Sequence, residues 1–214
     1  MRESSAFVLF FVLTACSSPA PARPAHAQGF DGDLAGWQAA STGGVGPHAT
    51  WLAHADAKAP SAPNVLSMTA QNHTAEDRFN LYWTAANPVA DGRIEVLVRA
   101  DGGEVDQGGG PMWRVQDANN YYLCRFNPLE SNFRVYVVKD RMRRQLATTL
   151  VAVRPGDWHK VEATFVGDRI TCWLNGQKLL EATDATILGA GGQGLWTKAD
   201  ARTSFDELVV EAKK

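Results

Sequence analysis

No stretch of the chain reaches the roughly 18 apolar residues that a membrane-spanning helix needs. Charge of one sign is not in excess either. The 21 Lys and Arg against 23 Asp and Glu leave a net charge of −2, which gives no bulk electrostatic attraction for nucleic acid. Cysteine is scarce, with 3 in 214 residues. Cys124 and Cys172 have no second Cys or His at ligand spacing, so no metal site is expected at either. No segment sustains a 3.6-residue period over three turns, which excludes a helical protein. The Gly-rich stretch DGGEVDQGGG lacks the GK[ST] ending and following helix of a phosphate loop. No G-x-S-x-G or H-E-x-x-H pattern occurs, and His48, His54, His73 and His159 are scattered. No cofactor is implied by any of these motifs.

Glycine and tryptophan, by contrast, are plentiful, at 19 and 7. Many tight turns with many aromatics favour β-structure. Short alternating runs recur from Val65-Leu66-Ser67-Met68-Thr69 onward. Val161, Ala163 and Phe165 alternate with polar residues, as do Ile170, Cys172 and Leu174. Gly167-Asp168 and Asn175-Gly176 read as hairpin turns. About a dozen such strands predict an all-β, two-sheet antiparallel sandwich over residues 30–214. Cys124 and Cys172 sit at apolar strand positions. They are read either as buried thiols or as a disulfide, the ~10 Å spacing between sheets being awkward for the bond.

The N-terminus is read as outside this fold. An early Arg2–Glu3 pair precedes a short apolar run from Ala6 to Leu13, which fits an export signal over residues 1–15. Leu13-Thr14-Ala15-Cys16 resembles the bacterial lipobox, which implies cleavage before Cys16 and a lipid on its thiol. The other reading is an ordinary secretory signal cut after Ala25-His26-Ala27, a site far from the apolar run. Residues 16–29, rich in Ser, Pro and Ala, are read as a tether. The expected location is the bacterial cell envelope, exported, with the membrane as a partner through the lipid.

Residues 112–138, MWRVQDANNYYLCRFNPLESNFRVYVV, hold three alternating runs with one arginine each. Strand parity assigns Trp113, Val115, Tyr122, Cys124, Phe126, Phe133 and Val135 to the core. The same reading puts Ile94, Val96 and Val98 inside. The opposite set is Glu95, Arg99, Arg114, Tyr121, Arg125, Arg134 and Tyr136. If the strands are neighbours, these side chains share one face. Guanidinium forks and aromatic rings suit sugar hydroxyls and ring faces, although an open sheet face can also be solvated this way. Like charges directly opposed across strands destabilise a sheet, so a carboxylate, a ligand or good spacing must offset them. Trp196 and Lys198 are candidates to cap that face, and Glu95 is the one acid placed on it. Asp206 is read as a hydrogen-bonded structural aspartate, with calcium as the weaker reading.

The segments NVLSMTA, GGPMWRVQDANNYYLCRFNPLESNFRVYVVKD, DWHKVEATFVGDRITCWLNGQKLLEATDAT and GQGLWTKADARTSFDEL together resemble the 3-keto-disaccharide hydrolase domain. That family lies in the concanavalin A-like lectin/glucanase superfamily, near the laminin-G-like domains. The resemblance spans about Phe30 to Val210 and implies a jelly roll with one concave sheet. The Glu-x-Asp-x-x-Glu strand of the superfamily's active glucanases is missing, so a two-carboxylate glycosidase is not expected. A 3-keto sugar has an acidified C2 proton and needs only one base and a cationic wall. The leading expectation is a lectin-like carbohydrate-binding domain using the arginine face. The alternatives are a 3-keto-glycoside hydrolase or lyase at the same face, with Glu95 as base, and a structural envelope lipoprotein.

Overall fold

The computed structural model describes residues 26–69 and 77–213. Cys16, the export signal, most of the tether and His73 lie outside the described residues. The described chain is all strand and turn, arranged as two antiparallel sheets. The eight-stranded sheet runs β13 (Gln177–Thr183), β12 (Arg169–Leu174), β11 (Trp158–Val166), β6 (Gly92–Gly102), β15 (Arg202–Ala212), β4 (Asn64–Met68) and β3 (Trp51–Ala55). Its remaining strand, β1 (His26–Gln28), also pairs with β15. The seven-stranded sheet runs β10 (Met142–Leu150), β9 (Asn132–Lys139), β8 (Asn120–Asn127), β7 (Gly110–Asp117), β14 (Gly191–Lys198), β5 (Phe79–Val89) and β2 (Trp37–Thr42). Among the described residues the first strand, His26–Gln28, lies ahead of the Phe30 start expected from sequence and pairs with β15.

Period-two alternation builds the layer between the sheets. Val161, Ala163, Phe165, Ile170, Cys172 and Leu174 of one sheet meet Trp113, Tyr122, Cys124, Phe126, Phe133 and Val135 of the other. Trp113 lies between the rings of Tyr122 and Phe165, with centroids 5.9 and 5.5 Å away and planes within 16°. The hairpin joining β12 to β13 turns on Asn175 and Gly176, whose φ angles of 52° and 79° mark a type I′ turn. Cys124 and Cys172 are both free and buried. Burial, with Cys172 beside it, holds the Cys124 thiol well above the ordinary cysteine pKa. Asp206 is fully buried and accepts hydrogen bonds from Ser61 N, Ser61 Oγ and Glu207 N at 2.6–2.7 Å. It is the structural aspartate expected.

The seven-stranded sheet curls over its outer face. Four strand-to-strand steps separate β8 from β2, about 19 Å in a flat sheet. Yet Thr42 Oγ1 lies 2.8 Å from Tyr121 Oη and donates to the Ala118 carbonyl. The hollow so formed has its own apolar floor of Phe79, Leu81, Met112, Tyr121, Leu123, Tyr136, Val138 and Trp196.

Candidate functional site

The sequence expectation divides in three on this framework. Tyr121, Arg125, Arg134, Tyr136, Trp196 and Lys198 all belong to β8, β9 and β14 of the seven-stranded sheet, on its outer face. Glu95 and Arg99 have the outward parity assigned to them but lie on β6, in the other sheet. There Glu95 pairs with Arg93 and, at 3.2 Å, with Lys160. Arg99 pairs with Asp56 at 2.6 Å and with Asp101, its guanidinium 4.8 Å from the Trp158 ring. Neither can act on the arginine face, so Glu95 is removed as its base.

Arg114 is the third case. Its backbone takes a left-handed φ of 49°, and the β7–β8 register slips between Trp113 and Asp117. Met112 and Val115 consequently both join the outer cluster while Trp113 stays in the core. The expected pairing of Val115 with Trp113 fails here, because a bulge breaks the alternation. The Arg114 side chain, fully buried, turns to the sandwich end. It donates to the carbonyls of Ala90 (2.6 Å), Ile187 (2.9 Å) and Gly167 (2.8 Å), and to Asp91 (3.1 Å). It is a fastening, not a ligand contact.

The remaining side chains converge. Arg125 and Arg134 are directly opposed across β8 and β9. Glu130, from the intervening turn, accepts from Arg125 at 2.9 Å, Arg134 at 3.1 Å and Asn132 at 2.9 Å. This carboxylate relieves the repulsion of the opposed arginines. Burial pushes the Glu130 carboxyl up, but the bonds from Asn132 and Arg125 and the charges of Arg125 and Arg134 prevail and hold it at about 2. Arg125 is 2% exposed and also bonds Asn132 Oδ1 and, at 3.3 Å, Tyr136 Oη. Its Nε has no protein partner.

A second carboxyl, Asp106, comes from the Gly-rich β6–β7 loop and is 2% exposed. It meets Lys198 Nζ at 3.1 Å and accepts from Asn127 at 3.1 Å. Burial raises its pKa above the ordinary aspartate value, and the charges of Arg125 and Lys198 oppose the rise without cancelling it. Arg143 of β10 is the other residue missed from sequence. Its guanidinium lies 4.5 Å from the Tyr136 ring, 4.8 Å from Phe79 and 5.8 Å from Trp196. Its Nη1 is buried without a protein partner. Tyr121 and Trp196 are fully buried, so they shape the floor beneath these groups instead of facing solvent. The face thus gathers Arg125, Arg134, Arg143 and Lys198 against Asp106 and Glu130, an excess of positive charge in a chain of net charge −2. Such a site favours a developing oxyanion.

The 3-keto-alpha-glucoside-1,2-lyase-like domain matches residues 27–200. The chain belongs to this family. The matched span includes every group of the convergent face described above. Among curated proteins none gives a significant match. Among solved structures, the carbohydrate binding module CBM66 from Bacillus subtilis is 18% identical, with 83% of this chain and 96% of that one covered at a TM-score of 0.63. A protein of unknown function with a galectin-like fold, also from Bacillus subtilis, is 9% identical, with 88% and 96% covered at 0.61. A Bacillus licheniformis β-glucanase is 10% identical, with 91% and 100% covered at 0.56. At these identities the likeness is one of fold, a two-sheet antiparallel jelly roll.

Proposed function

We propose that the outer face of the seven-stranded sheet binds a 3-keto-glycoside and cleaves it by 1,2-elimination. The observation that carries this reading is Asp106, a buried carboxyl of raised basicity set among cations. The C3 ketone acidifies the C2 proton. Asp106 takes that proton, the enolate oxygen is held by Lys198 and Arg143, and the electron pair expels the C1 substituent as the C1–C2 double bond forms. The leaving oxygen collects a proton, so the products are an unsaturated keto sugar and an alcohol. The family membership supports the substrate class.

The wild-type chain is expected to release p-nitrophenolate from p-nitrophenyl 3-keto-α-glucoside. Asp106→Asn is expected to lower kcat/KM by about a hundredfold or more. Because the base must be ionised, the rate should climb as pH rises through the Asp106 pKa, which burial raises from the ordinary aspartate value. No product at high enzyme loading, or an unchanged rate in Asp106→Asn, rejects the elimination.

A lectin-like module is the second reading, and one feature favours it. Both Asp106 oxygens are already engaged, by Lys198 and Asn127. Retention of plain glycosides with no turnover of keto-glycosides would select it. We further propose that the domain is exported and tethered to the envelope through lipidated Cys16. Mass spectrometry of the mature chain should find residues 1–15 removed and diacylglycerol on the new N-terminal cysteine. Cleavage after Ala27 without lipid would rule the anchor out.

A further inference from the structure

The sandwich has a second polar hollow, away from the arginine face. It opens at the edge where β1, β2, β5, β14 and β15 meet, and its volume is about 310 Å³. Its origin is a local mismatch of lengths. Gly191 pairs with Val89 and Gln193 with Thr84, so one residue of β14 spans four of β5. Residues 85–88 therefore arch outward, all exposed, with Asn87 at a left-handed φ of 50°. Gly192 permits the close crossing, since a Cβ there would lie 2.1 Å from the Thr84 carbonyl oxygen.

Gln193 stands at the back of this hollow and is 6% exposed. Its Nε2 donates to the Ala86 carbonyl at 2.8 Å, and its Oε1 is buried without a partner. The carbonyl can only accept, so the amide cannot be turned the other way, and Oε1 is left as a buried, unpartnered acceptor on a residue that lines the hollow. A buried acceptor without a donor costs stability comparable to a lost hydrogen bond. The rest of the lining is mixed, and it includes a second buried polar residue, Thr84. Leu208 and Val210 are buried apolar floor, and the Trp37 indole is half-buried. Asp33 and Asn87 are exposed at the rim, with Gln28 half-buried beside them.

We propose that this hollow is a second carbohydrate site, taking one neutral sugar ring. A sugar offers what the lining lacks. Its hydroxyls donate to Gln193 Oε1 and exchange hydrogen bonds with Asp33 and Asn87, while its C–H face lies on apolar surface and indole. The volume is at the small end of ligand cavities, ~300–1,000 Å³, which suits a single ring over an oligosaccharide. The amides are uncharged and Asp33 is the one ionisable group lining the hollow, so an anionic sugar gains nothing here. The site stands apart from the arginine face and does not depend on its chemistry.

The test is the full chain, nitrogen-labelled, titrated with methyl glycosides of glucose, galactose, xylose and fructose. The readout is the indole N–H signals of Trp37 and Trp196, assigned through Trp37→Phe and Trp196→Phe. One glycoside at least is expected to shift Trp37 in a saturable way. Gln193→Met, which keeps the shape and removes the acceptor, should weaken that binding about fivefold or more. Asn87→Gly keeps the left-handed backbone, removes a rim group, and should weaken it in the same direction; it serves if Gln193→Met does not fold. A shift confined to Trp196 would assign sugar binding to the arginine face alone and overturn the proposal. So would a Trp37 shift produced by calcium chloride but by no glycoside, no Trp37 shift at all, or a shift that either variant leaves unchanged.

Discussion

Arg114→Ala is expected to lower the unfolding free energy by about 4 kcal/mol, measured as a lower urea midpoint at unchanged slope. The side chain is fully buried and closes the sandwich end by bonding three backbone carbonyls from three separate connections, at Ala90, Gly167 and Ile187. Its guanidinium also lies 5.5 Å from the Phe165 ring and 5.9 Å from Tyr122. Truncation leaves those carbonyls without donors, removes the partner of Asp91 and opens a void. Arg114→Lys should recover little, because an ammonium cannot address three carbonyls in one plane. Arg114→Gly should be less damaging than Arg114→Ala by about 1 kcal/mol, since the φ of 49° strains any residue with a Cβ. A loss below about 1 kcal/mol for Arg114→Ala would contradict this role.

Asp200→Ala is expected to reduce kcat/KM on a 3-keto-glycoside by about a hundredfold, although Asp200 does not touch the convergent face. Its carboxylate accepts the backbone N–H groups of Glu104 (2.7 Å), Val105 (3.1 Å) and Asp106 (3.0 Å). Burial raises its pKa, but these backbone bonds prevail and hold it below the ordinary value. Three converging donors fix the loop that delivers Asp106 to Lys198 and Asn127. In the proposed elimination Asp200 is therefore a positioning residue. Its loss should flatten the Asp106-dependent rise of rate with pH, while Asp200→Asn, which still accepts hydrogen bonds, should recover part of the rate. A variant that is less stable but keeps the wild-type pH profile and rate would show that Asp200 supports only the fold.

Much of the arginine face was legible because β-pleat parity is a local property. Tyr121, Arg125, Arg134 and Tyr136 belong to consecutive strands β8 and β9, joined by a short turn, so their common face follows from alternation. That opposed arginines must be offset, by a carboxylate, a ligand or spacing, was also readable, and the Glu130 carboxylate in the turn is what offsets them. Arg114 escaped because a bulge is invisible to a period-two count. Its nearest trace is the glycine run of β14, where a Cβ on Gly191 would lie 2.4 Å from the Arg114 carbonyl carbon. Glu95 and Arg99 were assigned the right side of their own strand and the wrong sheet. Parity says which way a side chain points, and nothing about which layer the strand joins.

Alternation, hairpin dipeptides and the absence of a helical period are enough to imply a sandwich, and the family-specific segments point to the lineage. The location of the proposed site follows from tertiary contacts. Asp106 and Lys198 are 92 residues apart and Arg143 belongs to an edge strand, so only the order of strands and the curl of one sheet bring them together. That convergence depends on contacts between distant segments, for which local spacing carries no signal.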